Sequence, residues 1–495
     1  MSSLFRTRLS KQFDDRTAQF HTSVVEDLRM FEYDVNGTEA HNIMLHEQGI
    51  IEEEDLSKIL NALEEIKQEW KEGKLEITAE YEDVHEYIEA RVIDKIGIEA
   101  GGKIHTGRSR NDQVMVDMKM VTRADLLEIG ETLIKLLDTL LDLANEHMES
   151  YMILYTHGQQ AQIGTFAHYL VNYAEGLMRD YERLKGCYER VNMNPLGAGP
   201  IGGTNVRINR LKTSELLGFD KVQDNSIDAT SNRDWAIETA YVCASILGNM
   251  SRAAADIILW SSKEFSYIEL SDEYSSSSSI MPQKKNPSTI ELIRGKTSVV
   301  YGALFELMVM VKGVPTGYYQ DLQQTKIALW RTLDTTKTSL EVFNGAIKTM
   351  KVNIDIMKTA AENSQIGAIE IAERLIESGL SFREAYKVTA GVIKGAVDEG
   401  KTLKEIIKAD VVSKVSELTG KEVDISSSII EKSTNPKDAL EAKRSPGSAH
   451  PGETGRIVEE RKETLERHKK DFEFLKIKIM ISQDNLKNAL NKYKK

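Results

Sequence analysis

Cysteine is nearly absent from this 495-residue chain. Cys187 and Cys243 are too few and too far apart for a disulfide framework or a CxxC metal site, and each reads as a small buried hydrophobe. Proline is scarce as well. The eight prolines stand at 195, 200, 282, 287, 315, 436, 446 and 451, so residues 1–194 and 316–435 hold none and can form long helices. No stretch approaches the roughly 18 uncharged apolar residues of a spanning helix. The opening MSSLFRTRLSKQFDD lacks the apolar core of a signal peptide, so a cytoplasmic protein without a membrane partner is expected. Positive charge is in deficit: 64 Lys and Arg against 77 Asp and Glu give a net charge of -13. That excludes general affinity for nucleic acid, and an anionic small substrate then needs a locally basic pocket. Alternating apolar segments between turn pairs do not recur, so strands should be few.

What is present is helical periodicity. Leu126, Ile129, Leu133, Leu136, Leu140 and Leu143 alternate spacings of three and four, the seam of a helix packed lengthwise on others. Phe166, Leu170, Tyr173, Leu177, Tyr181, Leu184, Tyr188 and Val191 continue the pattern. Further helical runs cover about 234 to 262 and from after Pro287 to about Lys312. The chain therefore reads as all-α: an N-terminal helical domain over 1–112, a central bundle over 113–360 and a C-terminal helical domain over 361–495. Its last forty or so residues form an appended amphipathic helix.

Three segments carry chemistry. In TGRSRNDQV, Ser109 and Asp112 have capping-box spacing ahead of a helical run, placing Arg110 and Asn111 at a helix N-terminus, where free amides and a guanidinium favour a carboxylate. A solvated surface cap is the plain alternative. In SSSSSIMPQKKNPSTIE, residues 275–291, Asn286 and Pro287 read as N-cap and first turn of a helix whose amides face Lys284 and the serines. Such a loop can bind an anion and activate a hydroxyl. His157, in YTHGQQAQ, sits among glutamines that suggest a polar cleft; His85 and His105 are ambiguous, and no HxxxH or HExxH spacing supports a metal. GAGPIGG at 197–203 has dinucleotide-fingerprint spacing but follows a long helix and contains Pro200, so it reads as a turn.

Together these segments resemble argininosuccinate lyase, of the fumarase and aspartase superfamily. The match runs from FHTSVVEDLRMFEYDVNGTEAH through TGRSRNDQV, YTHGQQAQ, NSIDATSNRDW, SSIMPQKKNP and GYYQDLQQTK to SGLSFREAY and AKRSPGSAHPG. The resemblance implies a three-domain, all-helical subunit and a homotetramer in which each active site draws on three subunits. It implies a carbon–nitrogen lyase of arginine biosynthesis that splits argininosuccinate reversibly into arginine and fumarate, with no cofactor and no metal.

By motif position, the resemblance makes Ser278 the catalytic base. His157 falls on the acid side with Glu291 as its partner, and Lys284 stands beside the base. Substrate binding falls to Ser23, Asp27, Arg110, Asn111, Thr156, Asn286, Tyr318, Gln323 and Lys326. These residue types suit the chemistry. Removing a proton next to a carboxylate builds extra negative charge there, which Lys284 and Asn286 can meet, while Tyr318, Gln323 and Lys326 anchor the amino acid end. The pattern has departures: Ser277 stands where glycine is usual, and Gly158, Gln160 and Ile163 replace leucine, arginine and proline. Two other readings remain: another fumarate-releasing lyase of this fold, acting on adenylosuccinate or aspartate, and a crystallin-like structural protein.

Overall fold

Helix dominates where proline is missing and apolar residues recur at three- and four-residue spacing. The computed structural model describes residues 8, 11 and 13–494; the signal-peptide reading of the opening residues lies mostly outside that range. An N-terminal lobe is built from α1 (Phe31–Glu47), α2 (Glu53–Lys71) and α3 (Val84–Ile96). Leu56, Ile59, Leu60, Leu63 and Ile66 line one face of α2 and close on Phe31, Ile43 and Ile88.

The central body is a bundle of α4 (Arg110–Glu146), α5 (Phe166–Val191), α6 (Asp234–Trp260), α7 (Ser288–Lys312) and α8 (Thr325–Thr349). The expected seam of α4 is its core face: Leu126, Ile129, Leu133, Leu136 and Leu140 are fully buried, and Leu143 packs at the margin. Each buried leucine contributes about 1.5–3 kcal/mol, so truncating Leu133 would open a cavity at the centre of the bundle. Among the described residues, α6 alone is long and apolar enough to cross a membrane. Its apolar face is core instead, with Trp235, Val242, Ile246, Met250 and Ile257 buried against neighbouring helices.

The longest strands in this mainly helical chain form one hairpin. β1 (Tyr151–Thr156) and β2 (Gln159–Thr165) form an antiparallel hairpin whose two tip residues, His157 and Gly158, have φ of 52° and 70°. Positive φ at both central positions is the type I′ turn, whose twist matches that of paired strands. Ile153 and Ile163 anchor the hairpin on Ile366 and Leu440.

Beyond the bundle, α9 (Ala368–Glu377), α10 (Phe382–Asp398) and α11 (Lys408–Thr419) enclose a separate core of Ile371, Leu375, Val388, Val411 and Ile430. The last helix, α12 (Pro451–Tyr493), does not join this core. Val458, Leu465 and Phe472, spaced by sevens, enter the bundle core, and Leu486, Leu490 and Tyr493 enter that of the N-terminal lobe. A second heptad row pairs Lys462 with Asp142 (2.6 Å), Lys469 with Asp138 (2.8 Å) and Lys476 with Glu131 (3.1 Å). Rising numbers on α12 meet falling numbers on α4, so the two pack antiparallel with coiled-coil periodicity. Gly130 makes room: a Cβ there would lie 2.9 Å from the Phe472 ring.

Candidate active site

Asp112 organises the start of α4. Its Oδ1 accepts from the Ser109 amide (2.9 Å), closing the expected capping box, while its Oδ2 accepts from the amides of Gly197 (2.8 Å) and Gly199 (2.9 Å). GAGPIGG is thus a turn clamped onto a helix N-terminus. Gly199 has φ of 64°, and a Cβ there would lie 2.8 Å from the Gly203 carbonyl oxygen, so the turn requires glycine. Asn111 donates to the Pro200 carbonyl (2.8 Å), and Arg110 lies 3.3 Å from both Glu82 and Asp83. Arg110 is therefore more than a solvated cap. Burial works against its charge, but Asp83 and Glu82 outweigh it and hold its pKa above the ordinary value.

Two further segments converge on this helix start. Asp27, fully buried, accepts from the Ser23 hydroxyl (2.7 Å) and pairs with Lys326 at the start of α8. Gln323 donates to the His21 carbonyl (3.2 Å), and Tyr318 to Gln320 (3.4 Å). Ser23, Asp27, Arg110, Asn111, Tyr318, Gln323 and Lys326 line one pocket of about 120 Å³, together with Glu82, Asp83, His85 and Arg233.

The other expected residues lie elsewhere. Thr156 and His157 are exposed at the hairpin tip. A histidine at positive φ carries backbone strain of roughly 1–2 kcal/mol, the kind of outlier found at functional positions. Ser278, Lys284 and Asn286 belong to a second hairpin, β3 (Ser276–Ser277) with β4 (Lys285–Asn286), in which Ser277 pairs with Lys285. Ser278 and Lys284 are therefore the next residues up each side of the loop neck. The Ser278 hydroxyl accepts from the amides of Met281 (3.1 Å) and Ile280 (3.4 Å). The two lysines differ. Lys285 is tied to Asp272 (2.7 Å) and Glu269 (3.1 Å), whereas Lys284 is exposed and forms no ion pair among the described residues.

The expected N-cap is displaced by one residue. Asn286 is held in β4 by its pairing with Ser276, so α7 starts at Ser288 with Pro287 in the cap position and no side-chain cap bond. Glu291, in the first turn of α7, is exposed and shares no hydrogen bond with His157 within one chain.

Helix length separates these groups. The 27 residues of α6 span about 40 Å, with Arg233 at one end in the pocket and Trp260 at the other against Tyr169, close to the hairpin. The 25 residues of α8 span about 37 Å from Lys326 in the pocket to Thr349, bonded to Ser271 (3.0 Å) near the serine loop. The pocket lies at one end of the bundle, with the hairpin and the loop at the opposite end.

Among the described residues, one group has the ligand types for a metal ion: Asp34, His85 and Asp117, all buried. His85 Nδ1 lies 3.3 Å from Asp34 and 3.5 Å from Asp117. Burial disfavours the imidazolium, yet Asp34 outweighs it and raises the His85 pKa; burial likewise opposes the Asp34 carboxylate, yet His85 and Arg108 hold it at about 2. Burial and Asp34 together raise Asp117. His85 and Arg108 thus work against burial at Asp34, and Arg108 does so at Asp117. A larger cleft of about 790 Å³, between β2 and the C-terminal lobe, contains none of the expected site residues.

A Lyase family model matches residues 7–302, and an argininosuccinate lyase C-terminal model matches residues 365–434. The argininosuccinate lyase of Nitrosopumilus maritimus is 40% identical over 99% of both chains, and that of Methanosarcina mazei 39% identical over the full length of both. This chain belongs to the argininosuccinate lyase family. The argininosuccinate lyase of Clostridium perfringens is 45% identical over 81% of this chain and 86% of its own. Among solved structures, EDDS lyase in complex with formate superposes with a TM-score of 0.87 at 27% identity, covering 97% of this chain and 94% of that one. The class II fumarase of Schistosoma mansoni shares the fold alone, with a TM-score of 0.70 at 16% identity over 85% of this chain and 91% of that one.

Within an argininosuccinate lyase chain, then, the expected substrate positions fall into one built pocket and two exposed tips. Sequence reasoning missed Glu82, Asp83 and Arg233 as pocket residues. They lie in EDVHEYIEAR and NSIDATSNRDW, whose motifs were visible but whose side-chain destinations were not.

Proposed function

We propose that this chain splits argininosuccinate reversibly into L-arginine and fumarate, a carbon–nitrogen lyase working in arginine biosynthesis in the cytoplasm. The observation that carries this is the pocket at the start of α4. It gathers Ser23, Asp27, Arg110, Asn111, Tyr318, Gln323 and Lys326 from three distant stretches of sequence.

In this reading Ser278 removes the proton from the carbon beside a carboxylate. The charge that then builds on that carboxylate is met by Lys284, which forms no ion pair among the described residues, and by Asn286. As the carbon–nitrogen bond breaks, its electron pair stays on the nitrogen, and His157, oriented by Glu291, stands on the side that gives the leaving group a proton, so that arginine departs as its guanidinium. Thr156 binds substrate beside it. The Ser278 hydroxyl already receives two backbone amides, which favour its anionic form.

One copy cannot assemble these groups, because the pocket and the loop stand at opposite ends of helices about 40 Å long. A homotetramer resolves this by bringing the loop of one copy and the hairpin of another to the pocket of a third. Support comes from α7. Its Ile293, Val300 and Leu307 face the bundle core, while Leu292, Val299, Tyr301, Phe305 and Met308 stand exposed. A helix apolar on two sides is suited to burial on both.

The test offers argininosuccinate, adenylosuccinate and aspartate separately and follows fumarate by absorbance. Fumarate is expected from argininosuccinate alone. Release from either of the other two, with none from argininosuccinate, would replace this reading with that of another lyase of the fold, and release from none would leave the structural-protein reading.

A further inference from the structure

Among the described residues, the charges lining the pocket are paired, with one exception. Lys326 faces Asp27, and Arg110 faces Glu82 and Asp83. Arg233 also lines the pocket, at 1% exposure, and no carboxylate forms an ion pair with it among the described residues. Its Nη1 donates to the carbonyls of Thr230 (3.2 Å) and Asn232 (3.3 Å), and its Nε has no partner. Burial lowers its pKa to about 10, so it remains charged at neutral pH. The fold places it there deliberately: Arg233 directly precedes α6, and Trp235 Nε1, donating to the Asn232 carbonyl (3.2 Å), secures the same corner. A buried cation held only by carbonyls is costly unless an anion arrives to meet it.

We propose that Arg233 is the countercharge for the α-carboxylate of the amino acid half of the substrate, and so sets the requirement for an amine that carries a free carboxylate. This rests on the argininosuccinate reading above. The amino acid end is indicated because Arg233 shares its pocket with Tyr318, Gln323 and Lys326, at the end of the bundle opposite the Ser278 loop. Neither Lys326, neutralised by Asp27, nor Gln323, committed to the His21 carbonyl, supplies an uncompensated positive charge.

The test runs the reaction in the direction of addition, with fumarate and either L-arginine or L-argininamide, which keeps the guanidinium and ammonium but not the carboxylate. The parent should prefer arginine in kcat/KM by roughly 10- to 10²-fold or more, the worth of one charged hydrogen bond. Arg233→Gln should lose most of that factor on arginine and little on argininamide, collapsing the preference, with the KM for fumarate unchanged. Arg233→Lys should keep a clear part of the preference. Equal losses on both amines in Arg233→Gln, an intact preference, or a change confined to fumarate would each overturn the assignment. So would a parent that uses argininamide as well as arginine, a result that holds even if Arg233→Gln does not fold. A parent that joins neither amine to fumarate would instead refute the function on which the assignment rests.

Discussion

Replacing Asp112 with alanine should damage stability and substrate binding together. The carboxylate is fully buried and accepts three backbone amides: Ser109 at one oxygen, Gly197 and Gly199 at the other. Alanine leaves the two glycine amides buried without an acceptor, at about 1–3 kcal/mol each, and breaks one half of the capping box, worth about 0.5–2 kcal/mol. Allowing for relaxation and water entry, the sum is about 3–5 kcal/mol. Because Asn111 is anchored on Pro200 in the released turn, the pocket wall should loosen and the KM for argininosuccinate should rise. Urea denaturation at fixed protein concentration, alongside steady-state kinetics, measures both effects. Asp138→Ala is the control on the same helix, removing a half-exposed carboxylate paired with Lys469, with an expected cost below about 1 kcal/mol. An Asp112→Ala protein within about 1 kcal/mol of the parent and with unchanged KM would refute the clamp.

Ser278→Ala should lower turnover by at least the ~10²- to 10⁴-fold of one acid–base group while product binding survives, and Ser279→Ala should stay within about tenfold of the parent. A dead Ser279→Ala beside an active Ser278→Ala would move the base by one residue, and two active variants would move it out of the loop. Glu39, whose pKa burial raises to about 8, makes a pH prediction. Below about pH 4.5 it is neutral folded and unfolded alike, and between 4.5 and 8 only the unfolded chain ionises, so stability falls as pH rises through that window. Glu39→Gln stays neutral throughout, so its melting temperature should gain on the parent from pH 5 to pH 8; a difference that does not change with pH would contradict the raised value.

Long-range packing was legible wherever one helix face carried it. The Leu126–Leu140 seam and the proline-free stretches pointed to the bundle, because apolar spacing and backbone freedom are properties of the local chain. The 151–165 hairpin was not legible. Its tip is His-Gly, a weaker turn signal than Asn-Gly, and the Gln-rich β2 does not alternate cleanly, so tertiary contacts of Ile153 and Ile163 decide its form. Asn286 misled as a cap because strand pairing with Ser276 took its backbone, a contact ten residues away that local propensity does not contain. The heptads of α12 were readable as amphipathic, but not which helix they would meet. Among candidate site residues, motif position supplied those that the pocket brings together. Arg233 needed the structure, since what distinguishes it is that no carboxylate among the described residues forms an ion pair with it.

The claim that the pocket of one copy is completed by the loop of another is tested by mixing two defective variants. Lys326→Gln disables the pocket, and Ser278→Ala disables the loop about 40 Å away in the same chain. Each variant alone should be inactive. Co-refolded in equal amounts, with hybrids verified by copurification through a tag on one variant, they should recover up to about a quarter of parental activity, because one site in four then draws an intact pocket from the Ser278→Ala chain and an intact loop from the Lys326→Gln chain. Verified hybrids with no recovered activity, or a parental protein that is fully active as a monomer, would contradict the account.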